Sequence, residues 1–158
     1  IFYLPPEHSP RENLSMKKYL FASQPLSTAL GLFTLRVALG ITMLFAHGLP
    51  KLYSYSEKSS QFADPFGIGS EISLALAIFA EVFCSIGLIT GLAMRWATIP
   101  LIVTMSVAFF WVHGDDPWQK RELSFVYLTA FVTLFFTGPG ALSLDHLFGT
   151  KSHKPKKH

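Results

Sequence analysis

Arg36 and Glu81 each lie near the middle of a stretch otherwise apolar enough to sit in lipid, Thr28–Ala46 and Glu71–Leu92. A charge at the centre of a bilayer costs about 2.5–3.5 kcal/mol on insertion scales. Two such charges in so short a chain require compensation. Either they pair with each other, or they form the floor of a polar pocket.

The surrounding composition makes the membrane the relevant solvent. Half of the 158 residues are hydrophobic and only 15% are charged, where a soluble domain carries about 25%. The apolar residues gather in four runs, about 27–47, 71–93, 96–113 and 122–138. Each is long enough to cross about 30 Å of hydrocarbon at about 1.5 Å per residue. Backbone in lipid must satisfy its own hydrogen bonds, so the runs read as helices. The expected fold is all-α, an integral membrane four-helix bundle whose first partner is the lipid bilayer. Residues 1–26 form an N-terminal cytoplasmic segment, 27–148 the four-span domain and 149–158 a basic cytoplasmic tail. Met16-Lys17-Lys18 has the look of a natural start, which would make residues 1–15 an extension.

Basic residues set the orientation. Arg11, Lys17, Lys18, Arg95, Lys151, Lys154, Lys156 and Lys157 fall on one side; Lys51, Lys58, Lys120 and Arg121 fall on the other. The richer side is cytoplasmic by the positive-inside rule, so both termini are expected there. The basic balance thus reports topology, and no nucleic-acid-binding pattern accompanies it. A short interfacial helix is expected near residues 54–62, and another from Ser143 or Leu144 to Leu147.

Helical spacing then places the polar residues. Arg36, Gly40, Met43 and His47 share one face of the first helix. Arg36 and Glu81 both come out roughly 15 Å deep on antiparallel neighbours, which predicts a direct ion pair between them. His47, Lys51, His113, Glu122 and the Asp115-Asp116 pair would ring an outer mouth above that pair, with Ser85, Thr129 and Thr133 as polar walls. Glu81, His47, His113 and Glu122 are the candidate proton-handling groups, and Arg36 and Lys51 the candidate substrate-binding cations. Each also has a plainer reading: a structural ion pair for Arg36 and Glu81, interfacial anchoring for the histidines, and a helix-start charge for Glu122. Two histidines and a carboxylate from separate helices are not a metal-ligand pattern, so no metal is assigned. Cys84 is the single cysteine, which rules out a dithiol cycle within this chain. No motif for an intrinsic cofactor is present.

Taken in order, Arg36-Val-Ala-Leu-Gly40, His47-Gly48-Leu-Pro-Lys51-Leu52, Glu81, Gly87-Leu88, Thr90-Gly91-Leu92 with Arg95, Met105, Ala108, His113, Glu122, Tyr127, Gly138-Pro139-Gly140 and Ser143-Leu144-Asp145 resemble the DoxX family of small four-helix membrane proteins. The resemblance covers about residues 30–148. It implies a four-span bundle in the bacterial cytoplasmic (inner) membrane. Some relatives are described as the membrane part of a thiosulfate:quinone oxidoreductase, others as partners of oxidative-stress enzymes.

The reading placed first is an accessory subunit of a larger membrane complex, redox-linked in a respiratory or oxidative-stress setting, with other membrane-protein subunits as partners. The alternative is an oxidoreductase subunit that holds a quinone or a small anion in the polar bundle. A small oligomeric transporter ranks third. If the interior is purely structural, Met43, Phe79, Met105 and Phe109 should close it.

The orientation has a direct test. In a Cys84→Ala background, an impermeant thiol reagent added to sealed cells is expected to label Ser59→Cys and to leave Ser152→Cys untouched. Labelling at residue 152 would reverse the topology.

Overall fold

A computed structural model describes residues 25–149, all of whose regular structure is helical. The expectations for the N-terminal segment up to residue 24 and for the basic tail from residue 150 lie outside the described residues. Three helices are long and apolar enough to cross a membrane: α1 (Thr28–Tyr53), α3 (Ser70–Thr90) and α4 (Met94–Val112). Between the first two lies a single-turn helix, α2 (Tyr55–Lys58). A further long helix, α5 (Trp118–Thr137), packs along α4, and a short helix, α6 (Leu144–Gly149), follows it. The connections are very unequal. A tight turn at Gly91–Ala93 joins α3 to α4, whereas the α1–α3 connection runs through α2 and residues 59–69. These define a short-turn end and a long-loop end.

The helices carry apolar residues nearly all round, as lipid-facing helices do. Phe79, Phe83, Trp96, Phe110 and Phe136 remain exposed on their outer faces. The side chains turned inward form a main core, in which Met43 of α1 and Leu88 of α3 meet Met94 and Leu101 of α4 and Phe131 and Leu134 of α5, and a smaller cluster of Leu74, Ile78 and Val82 on α3. Polar groups in the spans mostly bond to their own helix. Thr42, Thr90, Thr129 and Thr133 each donate to the carbonyl four residues earlier. Thr129 and Thr133 are exposed rather than wall-forming, which corrects the sequence expectation for both.

Glycine sets how closely α1 and α3 approach. A Cβ on Gly40 would come within 2.6 Å of Ile89 Cγ1 and 3.0 Å of the Ser85 carbonyl oxygen. One on Gly48 would come within 2.6 Å of the Glu81 carbonyl oxygen. Both contacts need a residue with no side chain, in the manner of small-residue helix seams in membranes.

Three π-helical turns interrupt the spans: Leu44–Gly48 in α1, Phe79–Cys84 in α3 and Ala108–Val112 in α4. Each holds or adjoins a candidate residue: His47, Glu81 and His113, respectively. The first has a visible cause. Pro50 lacks an N–H and its ring crowds the carbonyl four residues back, so the preceding turn widens to carry the helix through. As a result α1 continues to Tyr53 instead of ending near residue 47.

Gly48→Ala should lower the melting temperature, because the neighbour it would strike is backbone and cannot give way; overpacking of this kind costs about 1–3 kcal/mol. Gly31 has open space where its Cβ would be, so Gly31→Ala should be stabilising by about 0.5–1 kcal/mol from helix propensity alone. Equal effects at the two positions would contradict the close seam.

Candidate functional site

The two buried charges are held at different levels of the bundle, Glu81 midway along α3. Arg36, only 1% exposed, sits at the short-turn end. There it donates from Nη1 to the Leu88 carbonyl at 3.0 Å and to that of Ile89, and from Nη2 to the carbonyl of Leu142. The C-terminus of α3 is already closed by Gly91 in the left-handed conformation, with Leu92 N–H donating to the Gly87 carbonyl at 3.0 Å. Arg36 adds a positive charge where the helix dipole is negative. Two residues further along, Asp145 does the converse for α4, accepting from Ala93 N–H at 2.7 Å and Met94 N–H at 3.0 Å. One cation and one anion from distant parts of the chain therefore fasten the α3–α4 turn.

The predicted Arg36–Glu81 pair does not form. Glu81, 3% exposed, is bonded to Lys51, with Nζ 2.6 Å from Oε2. The reason is the register of α1 against α3. Gly40 faces Ser85 and Ile89, and Gly48 faces the Glu81 backbone, so residue 36 falls level with residues 88 and 89. The added turn of α1 past Pro50 then carries Lys51 within reach. A lysine side chain leans back toward its helix N-terminus, which here is toward Glu81.

Glu81 and Lys51 form part of the wall of a cavity of about 320 Å³ at the long-loop end. His47 and His113 line it too; Arg36 and Glu122 do not. Glu122 is exposed, so its placement at the mouth and that of Arg36 at the floor are both corrected. Sequence reasoning missed several other lining groups. Phe62, Phe66 and Ile68 come from the long loop, and Leu76, Val103 and Leu123 are apolar positions on the helices. Tyr127 also lines it, with its ring edge-on to His47 at 5.6 Å between centroids. Met43 and Met105 are buried as expected, but Phe79 is half exposed and stacks on Phe83. Phe109 lies among Phe110, Trp118 and Phe125 under the Arg121 guanidinium. The four residues expected to close the interior therefore leave the long-loop end open.

The loop over this cavity is held by Asp64. Its carboxylate accepts from Ile68 N–H at 3.1 Å, Gly69 N–H at 2.7 Å and the Ser73 hydroxyl at 2.9 Å. Loss of hydration pushes this carboxyl up, but the donors from Gly69, Ser73, Ile68 and Gly67 outweigh that and hold it below its ordinary value. At the far rim, His113 Nδ1 lies 2.9 Å from Asp116 Oδ2, and Lys120 Nζ lies 3.5 Å from Asp116 Oδ1. The hydrogen bond with His113 is the main cause that lowers the Asp116 carboxyl.

The DoxX family model matches residues 31–114, just over half of the chain. The match takes in Arg36, His47, Lys51, Glu81 and His113 and stops before α5. A curated protein of Haemophilus influenzae, described as uncharacterized, is 29% identical over 98 residues, covering 59% of this chain. The chain spans 65% of that relative's length, just under two thirds. No solved structure matches.

Two tests follow from this geometry. In a double-mutant cycle, Lys51→Met and Glu81→Gln should couple by about 1–3 kcal/mol, whereas Arg36→Met and Glu81→Gln should add to within about 0.5 kcal/mol. Coupling to Arg36 in place of Lys51 would restore the pairing expected from sequence. The second test concerns pH. Asp64 is depressed in the folded state, so its stabilising contribution is present above the ordinary aspartate value of about 3.9 and is lost as pH falls through the lower folded value. Hydrogen exchange at the amides of Ile68 and Gly69 should accelerate in that acid window after correction for intrinsic rates. Asp64→Asn should remove the pH dependence, and an unchanged acid response in that variant would count against the assignment.

Proposed function

The chain belongs to the DoxX family, and from that premise we propose that it is a redox-linked membrane subunit that holds a small ligand in the cavity between α1, α3, α4 and α5. In this reading it crosses the bacterial cytoplasmic membrane four times with both termini in the cytoplasm. The cavity then opens toward the outer side, and other membrane-protein subunits lie alongside.

The observation that carries the proposal is the cavity itself. Protein interiors are close-packed, and a subunit that served only to fill a groove in a larger complex would have no use for about 320 Å³ of space beside a buried carboxylate. The volume lies at the small end of the range for ligand sites, about 300–1,000 Å³. The lining also has the composition of such sites, apolar walls with a few convergent polar groups. A quinone ring fits this set of donors and walls. Lys51 and Tyr127, both on the cavity wall, each carry a donor group, and Phe62, Phe66, Val103 and Leu123 offer flat or branched apolar contacts.

A quinone would supply two-electron, two-proton chemistry when bound. The chain's own residues would position it and handle protons. Lys51 would orient an acceptor oxygen. Glu81 and His47, on the same wall, would give or take the proton. His113, held by Asp116 at 2.9 Å, would pass it to the rim. Cys84 is buried and alone, so the electrons must come from a partner or a second substrate. This is why the redox and accessory roles belong together in one subunit.

The purified protein in nanodiscs should gain thermal stability with a short-tailed benzoquinone, about 2.7 kcal/mol at a concentration one hundred times Kd. Val107→Trp, which fills the cavity from α4, should abolish the shift while leaving the unliganded melting temperature near that of the wild type. An equal shift in the filled variant would place the ligand elsewhere, and no shift in the wild type would overturn the cavity reading.

A further inference from the structure

The charges around the cavity cancel locally. Lys51 Nζ is 2.6 Å from Glu81 Oε2, and that carboxylate is 3% exposed. Lys120 and His113, the other basic groups on the wall besides His47, both meet Asp116, at 3.5 and 2.9 Å. His47 packs against the Tyr127 ring. With the imidazoles counted as neutral, the two ammonium groups are matched by two carboxylates, Glu81 and Asp116, so the wall has cations within reach of a ligand but no surplus positive charge. An anion entering here would lose its hydration and gain only a cation already neutralised, a net cost in a largely apolar enclosure. An uncharged ligand with an acceptor oxygen meets no such barrier, because an ammonium bonded to one carboxylate still has further protons to donate.

Glu81 occupies a position suited to controlling this. It sits in the π-helical turn Phe79–Cys84, which places it against α1 at the height of Gly48. Lys51, by contrast, is partly open, with 24% of its side chain accessible. Removing the carboxylate charge without changing its shape would leave Lys51 as an unpaired cation facing the cavity.

We propose that Glu81 determines the charge specificity of the cavity: by neutralising Lys51 it excludes anions and selects uncharged, acceptor-bearing ligands. This rests on the reading that the cavity holds a small redox ligand and names the class of that ligand. Glu81 is a specificity residue that acts through Lys51.

The test compares two probes, thiosulfate and a short-tailed benzoquinone, on the wild-type protein and on Glu81→Gln in nanodiscs, by calorimetric titration at low ionic strength. The wild type should bind the quinone and ignore thiosulfate. Glu81→Gln should take up thiosulfate at least about tenfold more tightly than the wild type, the order expected for a freed charge-assisted contact. The gain should disappear in Lys51→Met/Glu81→Gln. Thiosulfate binding by the wild type that Lys51→Met abolishes would overturn the proposal without recourse to any Glu81 variant. Quinone binding by the wild type, with a folded Glu81→Gln that still ignores thiosulfate, would overturn the role of Glu81 alone. Silence of both proteins toward both probes would overturn the cavity reading beneath it. A Glu81→Gln that gains thiosulfate, beside a wild type that binds neither probe, would uphold charge cancellation and remove the quinone.

Discussion

The seam between α1 and α3 decides which charges can meet. Gly40 and Gly48 bring the two backbones so close that a single added methyl would strike Ile89 at one point and the Glu81 carbonyl at the other. Contacts this tight fix the register of the antiparallel pair. With the register fixed, Arg36 falls beside the last turn of α3 and Lys51 beside Glu81. The two buried charges then serve different purposes. Arg36 satisfies carbonyls that a helix end leaves free, a requirement made severe by the absence of water in hydrocarbon. Glu81 keeps a lysine as its partner on the wall of a cavity.

The short-turn end is fastened by Arg36 and Asp145 and filled by Met94, Leu101 and Leu134. The other half of the bundle, from the middle of α3 to the long loop, contains three π-helical turns, a loop held by Asp64 and the cavity. A wide turn inserts a residue and re-aims the side chains around it, and such turns gather at functional sites. Their concentration around His47, Glu81 and His113 supports the proposed site from the backbone, independently of side-chain chemistry.

Much of the helical plan was legible in the sequence, since a span-length apolar run admits few alternatives in lipid. The short surface helix after Gly138-Pro139-Gly140 was legible as well. The pairing of Glu81 was not. Arg36 and Glu81 come out at equal depth only if α1 ends with the apolar run near residue 47. The π-helical turn that carries α1 through Pro50 adds more than a turn of helix and moves Lys51 into play. A cue was present in Arg36 and Gly40 on one face with Gly48 two turns on, a small-residue seam that could have set the register. The roles of Asp64 and Phe66 could not be read, because they depend on a loop folding back over the bundle.

The carboxylate buried in α3 belongs to Lys51 and to the cavity. Solid-state NMR on protein in lipid, with labelled lysine Nζ and glutamate Cδ, measures this contact directly. Strong dipolar dephasing is expected between Lys51 Nζ and Glu81 Cδ, as required by a 2.6 Å separation of Nζ and Oε2, and none between Glu81 and the Arg36 guanidinium. Dephasing of Glu81 by Arg36, with Lys51 free of it, would contradict the register, the site and the function built on them.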